Sequence, residues 1–517
     1  MPPTHTRPRR DRSALLPAIL VGLVVLGLLA ALLPPPAAAA GTGEQAAAAP
    51  RALPGRVIVG LRGWTGAAAR ADVMAAAGAT ASVALDGAEQ RTFLLRIPRG
   101  RSVSATIARL ERLPGVRFAE PDWKVRAQEV ADDPYVTNGS LWGMYGGGTS
   151  PANAYGSGAV SSWAAGAIGS RSVVVGIIDE GIDRNHPDLA ANIWTNPYET
   201  AGDGIDNDGN GYVDDIHGWD FFYNDASVYD AGEDSHGTHV AGTIGGLGGN
   251  GIGVAGVNWR VTMISAKFLG PGGGYISAAI AALNYLRDLK TRHGIGIVAT
   301  NNSWGGGGFS QGMLDAIRAA GDAGILFIAA AGNSTSNNDS VGSYPSNYDC
   351  SRTLAGAARG YDCVIAVAST TSTGGISSFS SYGATTVDLG APGSSVWSTL
   401  PGNTYGSYSG TSMATPHVTG AAALCAATAS GISSGDIRNA VVGGAQPLAS
   451  LAGKTVTGGR LDVPSTLAIC LPPTNPVSGA PSGLTATAVS ATRIDLAWTD
   501  GATYETSYQV ERAPDTG

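Results

Sequence analysis

The sequence predicts an α/β fold, a doubly wound and mostly parallel sheet with helices on both faces, preceded by a smaller α+β region. Three observations lead there. Between about residues 171 and 430, short apolar β-rich runs alternate with helix-like runs, the order that yields parallel strands joined by crossover helices. The chain has 517 residues, 44% apolar and only 14% charged, enough to close a large core and to hold more than one domain. Glycine occurs 75 times, about twice its average usage of about 7%, and without a three-residue period, which excludes collagen and suits a compact domain with many tight turns.

The strand candidates in the central segment are residues 173–179, 261–268, 295–300, 325–331 and 364–369. They read as nearly continuous apolar runs, as strands covered on both faces should. The helix candidates are residues 239–245, 277–289, 311–320 and 411–427. Upstream, residues 56–61 and 92–97 read as strands and 103–113 as an amphipathic helix, so 51–125 forms a separate small domain. Pro472, Pro473, Pro476 and Pro481 mark a linker over 471–482. Beyond it, Ile494, Leu496 and Trp498 alternate with polar residues, and Tyr508, Val510 and Arg512 repeat the pattern, which signals strands.

At the amino end, Arg7, Arg9, Arg10 and Arg12 precede an uncharged apolar run over 14–33, then prolines and Ala37 to Ala40. Residues 1–40 read as an export signal with a small-residue cleavage site. The run is longer than an ordinary signal core, so a retained anchor is the competing reading; in both cases the remainder is exported, and the expected location is secreted and extracellular. Cys350, Cys363, Cys425 and Cys470 suit that oxidising destination, and their spacing is wrong for a Cys-x-x-Cys metal knuckle. Three pairings are open. The short, turn-rich stretch between Cys350 and Cys363 favours that pair and leaves Cys425 with Cys470.

The net charge of −8 argues against a nucleic-acid binder. It is unevenly spread: residues 1–130 hold 17 Lys and Arg against 9 Asp and Glu, net +8, leaving 15 against 31, net −16, for the rest. Segments of opposite sign in one chain attract each other, which speeds encounter more than it fixes affinity.

Function is expected at the carboxyl ends of the parallel strands. Asp179 ends the first of them, His236 opens the run His-Gly-Thr-His-Val-Ala-Gly, Ser412 lies in Gly-Thr-Ser-Met-Ala-Thr-Pro at a helix start, and Asn333 closes another strand. Singly these are a turn residue, a structural histidine and a helix cap. Together they supply a nucleophile, a proton shuttle, a carboxylate that orients the shuttle and an amide donor for an oxyanion, which is every part of an acyl-transfer site.

The runs around Asp179, His236 and Ser412 resemble the three signatures of the subtilisin-like serine peptidases, the subtilases, over about residues 135–465. The chain order Asp, His, Ser is theirs; an α/β-hydrolase would run Ser, acid, His and would place Gly at position 414, where Ala stands. The resemblance implies that Ser412 attacks, His236 moves the proton, Asp179 holds the imidazole and Asn333 binds the oxyanion. It further implies that Ser303, Trp304 and Gly305 line the first specificity pocket, with Trp304 bulkier than the usual aliphatic residue. Gly273, Gly274 and Tyr275 would form the opposite edge, pairing with substrate backbone. His239 and His417 read as structural. Residues 41–130 resemble an inhibitory propeptide, its net charge of +6 over 51–125 opposite to the remainder, and 131–470 a catalytic domain. The stretch 483–517 resembles the opening of a fibronectin type III module, with Trp498 as its core tryptophan; such a module needs about 100 residues.

One more motif is legible from the residues alone. Asp206, Asp208, Asn210, the Tyr212 carbonyl and Asp214 alternate with glycine-rich spacers, so that a single tight loop can wrap its oxygens around a hard cation, with Ca2+ expected. His217 stands where an EF-hand would have its bidentate Glu, so the loop is not an EF-hand. The whole sequence is thus expected to specify a secreted, calcium-supported serine endopeptidase acting on proteins or peptides. Its own propeptide would be an intramolecular inhibitor, and membranes would matter only through the export signal. A catalytically dead binding protein and an esterase with the same triad are the competing readings.

Overall fold

The computed structural model describes residues 52–62, 66–85, 91–98, 100–123, 131–471, 482–490 and 493–499. The expected leader, the stretch 124–130, most of the linker and the tail beyond 499 lie outside the described residues. Among the described residues no helix is long and apolar enough to cross a membrane.

The amino-terminal region is a four-stranded antiparallel sheet in the order β2-β3-β1-β4, made of β1 (Ala52–Leu61), β2 (Ala81–Ala84), β3 (Thr92–Arg96) and β4 (Val116–Trp123), with helices α1 (Gly66–Ala77) and α2 (Val103–Leu110). Val57, Val59 and Leu61 alternate inward along β1 and meet Phe93 and Leu95 of β3 and Leu110 of α2 in one core. Each such buried side chain contributes roughly 1.5–3 kcal/mol. Ser102 caps α2 by accepting from Ala105 N at 3.1 Å. The alanine-rich α1 carries too little apolar periodicity to be seen in the sequence, and α2 stops three residues before the expected 113.

The following region holds α3 (Pro134–Thr137), α4 (Ala159–Ala164), β5 (Gly169–Asp179), β6 (Gly218–Asp220), α5 (Ser235–Gly245), β7 (Arg260–Lys267), β8 (Leu269–Gly270), β9 (Gly273–Gly274), α6 (Ile276–His293), β10 (Ile297–Asn302), α7 (Gln311–Asp322), β11 (Leu326–Ala330) and β12 (Val364–Thr370). It continues with β13 (Leu389–Pro392), the hairpin β14 (Val396–Leu400) and β15 (Thr404–Tyr408), α8 (Thr411–Thr428), α9 (Ser434–Gly443), β16 (Gln446–Pro447), β17 (Gly459–Arg460) and α10 (Val463–Cys470). Nine strands form the main sheet in the order β16-β17-β13-β12-β11-β10-β5-β7-β6, parallel throughout except for β16.

Both faces are covered, as the apolar strands require. Along β5, Val173, Val175 and Ile177 share a core with Val240 and Ile244 of α5. Val174 and Ile178 point the other way, into the core that contains Leu283 and Leu286 of α6. Chain order reverses at β5: the strands after it are laid down first on the β7 side and then on the β10 side. A crevice opens at such a switch point beyond the carboxyl ends of the strands, and Asp179 is the last residue of β5.

Strand bounds agree with expectation to within two residues, apart from β1 and β5, which each start four residues earlier than expected. The helix expected over 239–245 also begins four residues sooner, at Ser235, because the small residues of its first turn have no apolar rhythm but fit against the loop after β5. Cys350 pairs with Cys363, and Cys425 of α8 with Cys470 of α10, at Cα separations of 5.1 and 5.7 Å. In the tail, β18 (Ser482–Ser490) and β19 (Arg493–Thr499) pair antiparallel; Tyr508, Val510 and Arg512 lie outside the described residues.

Candidate active site

Asp179 is fully buried, and one of its oxygens, Oδ1, accepts two hydrogen bonds, from Glu180 N at 2.7 Å and from His236 Nδ1 at 2.7 Å. A carboxylate can only accept, so Nδ1 carries the proton and Nε2 keeps its lone pair. His236 stands in the first turn of α5, and its main-chain N–H donates to Glu180 Oε2 at 2.8 Å. Glycines make this approach possible. A Cβ on Gly237 would lie 2.5 Å from Gly181 O and 2.6 Å from Glu180 O, and one on Gly181 would lie 2.3 Å from Asp234 Oδ2.

Burial alone would drive the proton off His236, but the charge of Asp179, its hydrogen bond and the charge of Glu180 outweigh it, so the imidazole holds its proton above the usual histidine value. His239, one turn along, is different. Buried and stacked on Tyr408 with ring centroids 4.6 Å apart, it bonds to Val396 O at 3.0 Å and is pushed down to about 3. His417, bonded to Met413 O at 2.9 Å, is pushed down to about 4 by burial. Burial favours the neutral form of both, as packing residues.

Ser412 lies in the first turn of α8. Its Oγ donates to the Ser303 carbonyl at 2.9 Å, and among the described residues no hydrogen bond joins it to His236; such contacts commonly tighten only when substrate is bound. Four residues on, Pro416 lacks the N–H that would bond the Ser412 carbonyl, and Ser303 Oγ takes that acceptor at 2.8 Å. Asn301 Nδ2 donates to Ser303 Oγ at 2.9 Å and holds it there.

Asn333 follows β11. Its Oδ1 accepts from both Thr411 N and Thr411 Oγ1 at 2.8 Å, which settles the amide orientation and leaves Nδ2 toward the serine. A Cβ on Gly410 would lie 3.5 Å from Asn333 Nδ2 and 3.6 Å from Ser412 N, so both donors border the space beside Gly410.

The edges of the crevice follow. Gly273 and Gly274 form β9 of an exposed hairpin with β8, and Tyr275 is 72% exposed. Beyond the end of β10, Ser303 is buried and Gly305 exposed. Trp304 packs back on Phe268, ring centroids 4.9 Å apart. A cleft of about 350 Å³ runs between Glu180 and Glu233 on one wall and Leu269, Pro271 and Gly273 on the other.

In the acidic loop, the carboxylate oxygens of Glu199, Asp206 and Asp208 lie within 4.8 Å of one another. Asn210 and Tyr212 follow them, with Asn210 Oδ1 accepting from Tyr212 N at 2.7 Å. Asp214 departs from the expected set: at φ 57° its carboxylate turns back to accept from Gly202 N at 2.7 Å and Gly204 N at 3.1 Å, closing the loop.

Four residues that matter here escaped sequence reasoning. Glu199 stands seven positions ahead of the motif window. Thr411 and Glu180 were hidden as mere neighbours of Ser412 and Asp179. Lys267, the fully buried end of β7, is held by Asp220 and Asp234 at 3.5 and 3.0 Å and by Asp230, and those carboxylates raise its proton affinity despite burial.

A parallel α/β sheet that brings an aspartate, a histidine and a serine, in that chain order, to the crevice at its switch point has the build of a serine peptidase. The chain belongs to the subtilase family, whose family model matches residues 170–460. A second model, the fervidolysin N-terminal prodomain, matches residues 38–122. Thermitase of Thermoactinomyces vulgaris is 34% identical over 268 residues, 52% of this chain and 78% of that protein. Subtilisin DY of Bacillus licheniformis is 36% identical over 270 residues, 52% and 81% of the two chains. A solved protease structure from Pseudoalteromonas arctica aligns with a TM-score of 0.51 at 26% identity, covering 66% of this chain and all of that one. The chain is therefore a subtilisin-like serine peptidase with a propeptide region.

Proposed function

We propose that this peptidase is a secreted endopeptidase whose chemistry runs through Ser412, His236, Asp179 and Asn333, and that it frees itself from its own pro-segment. The observation that carries the reading is the 2.7 Å bond from His236 Nδ1 to Asp179 Oδ1, which leaves Nε2 with its lone pair as the free base.

Ser412 Oγ turns from Ser303 O and attacks the scissile carbonyl carbon while its proton passes to His236 Nε2. The charge that develops on the carbonyl oxygen is met by Asn333 Nδ2 and Ser412 N, the two donors beside Gly410. As the C–N bond breaks, the imidazolium gives its proton to the leaving amine. Water, activated by the same nitrogen, then releases the acyl group and restores the serine. Gly273, Gly274 and Tyr275 on one edge and Ser303, Trp304 and Gly305 on the other hold the peptide between them. Main-chain pairing of that kind is indifferent to sequence, which suits broad specificity.

Calcium fits the acidic loop by donor chemistry: Glu199, Asp206 and Asp208 offer hard carboxylate oxygens close together. Asn210 and the Tyr212 carbonyl would complete the set, with Asp214 bracing the loop rather than ligating. A bound ion would add stability by favouring the folded loop.

The pro-segment reading rests on the prodomain match, on its opposite charge and on its place ahead of the sheet, with the processing bond between about 124 and 134. Wild type expressed without other proteases should lose the segment, and Ser412→Ala should accumulate as the longer precursor. Loss of the nucleophilic serine costs roughly 10⁶ in rate in subtilisin itself, so residual self-cleavage should be negligible. Identical products from the two would sink both self-processing and Ser412 as nucleophile.

A further inference from the structure

One carboxylate at the triad has no part in the steps above. Resting on that triad reading, we propose that Glu180 is a positioning residue for the base: it clamps the main chain of His236 and supplies a second negative charge facing the imidazole.

Three hydrogen bonds close a ring through consecutive residues. Glu180 N donates to Asp179 Oδ1 at 2.7 Å, His236 Nδ1 to the same oxygen at 2.7 Å, and His236 N to Glu180 Oε2 at 2.8 Å. The ring and the backbone of His236 are thus each tied to one of two adjacent carboxylates, and neither can shift without straining the other. Glu180 N and His236 Nδ1 are the only donors to the Asp179 carboxylate among the described residues, so Glu180 also fixes the orienting group. Gly237 leaves no room for a side chain against the carbonyls of Glu180 and Gly181, so α5 approaches the same loop closely.

The charges around the pair make the second half of the inference. Glu180 faces Asp179 from its own strand end, His236 from α5 and Asp234 from the loop before α5, and it shares its cleft with Glu233. Lys267, in register with Asp179 on the neighbouring strand, spends its ammonium on Asp220, Asp230 and Asp234. His239 is neutral. The imidazolium of His236 is therefore the cation that Glu180 can stabilise. Because the carboxylate is half-buried and borders a cleft, it can ionise without being lost to bulk screening. Burial raises its own proton affinity, against the pull of His236 N–H. On acidification Glu180 and His236 compete for protons, and the pair rather than either residue sets the acidic limb.

The test is the pH dependence of kcat/KM for the mature enzyme, wild type against Glu180→Gln and Glu180→Ala. The glutamine keeps an oxygen for His236 N–H and removes the charge. Its acidic limb should move to lower pH by about half a unit to one unit, as loss of a nearby charge does. The alanine should show the same move together with a roughly tenfold fall in kcat at little change in KM, the signature of lost positioning in the transition state. A Glu180→Gln limb that coincides with wild type overturns the proposal. If the variants turn over too slowly to profile, the His236 ring titration followed by NMR in a Ser412→Ala background reads the same quantity, and an unshifted titration overturns it equally. Wild type without peptidase activity would instead refute the endopeptidase reading, while the NMR comparison would still decide the role of Glu180.

Discussion

Ser412 and Ser303 exchange hydrogen bonds: the Ser412 hydroxyl donates to the Ser303 carbonyl at 2.9 Å, and the Ser303 hydroxyl donates to the Ser412 carbonyl at 2.8 Å. In the proposed chemistry the first bond must break and the second need not. Their separate roles can be read by substitution.

Ser303→Ala removes the donor to the Ser412 carbonyl, where Pro416 can offer nothing, and with it the acceptor of the buried Asn301 Nδ2. The expected cost is about 1–3 kcal/mol of stability. Calorimetry of the inhibited enzyme would register it as a lower Tm. An unchanged Tm would mean that the carbonyl finds another donor.

Asn333→Ala should reduce turnover roughly 10²- to 10³-fold, the cost that one oxyanion donor carries in subtilisin itself. Thr411→Val leaves the main-chain donor to Asn333 Oδ1 and removes the hydroxyl, which donates to that oxygen and accepts from Gly332 N at 3.2 Å. It should cost less, about fivefold in turnover, since the amide loses one neutral hydrogen bond of about 1 kcal/mol. Steady-state kinetics on one peptide substrate would rank wild type, Thr411→Val and Asn333→Ala in that order; the reverse order would remove Thr411 from the support of the amide.

In the proposed chemistry His236 must be neutral to accept the serine proton. Its proton affinity in the fold is raised, by Asp179 and Glu180 against the opposing effect of burial. Activity should therefore be full at alkaline pH and fall as pH drops through a value above the ordinary histidine pKa of about 6.5. A kcat/KM profile whose acidic midpoint lies below that value would contradict the electrostatics of the site.

Chelation should lower the Tm of the mature protein if the acidic loop holds calcium. Glu199→Gln and Asp208→Ala should both blunt that response, whereas Asp214→Asn should mainly loosen the loop and leave the chelator response in place. Equal sensitivity of Glu199→Gln and wild type to chelator would move the ion elsewhere.

What the sequence made legible follows from the range of the forces involved. The strand ending at Asp179 is readable because a sheet buried on both faces demands a run of apolar residues, a demand met within the strand's own sequence. The start of α5 is not, because Ser235, His236 and Gly237 are selected by the loop they touch, Glu180 and Gly181, which lies 56 residues away for the His236 to Glu180 bond. The same holds for Lys267, which reads as an awkward polar end to an apolar strand until Asp220, Asp230 and Asp234 are brought to it. In the acidic loop the alternating carboxylates are visible, but a backbone that turns left-handed at Asp214 redirects one of them, and Glu199 arrives from outside the pattern. The three catalytic motifs are legible as family signatures; the Thr411 and Glu180 contacts that hold them are tertiary.

The proline inside α8 has a consequence for inheritance. The helix bearing Ser412 cannot satisfy its own carbonyl there, and the hydroxyl that does so belongs to a residue 109 positions upstream. A recombination event that joined this serine motif to a foreign strand at position 303 would deliver every residue of the signature and still leave the nucleophile's carbonyl without its donor. The two segments form one structural unit although no sequence motif spans them.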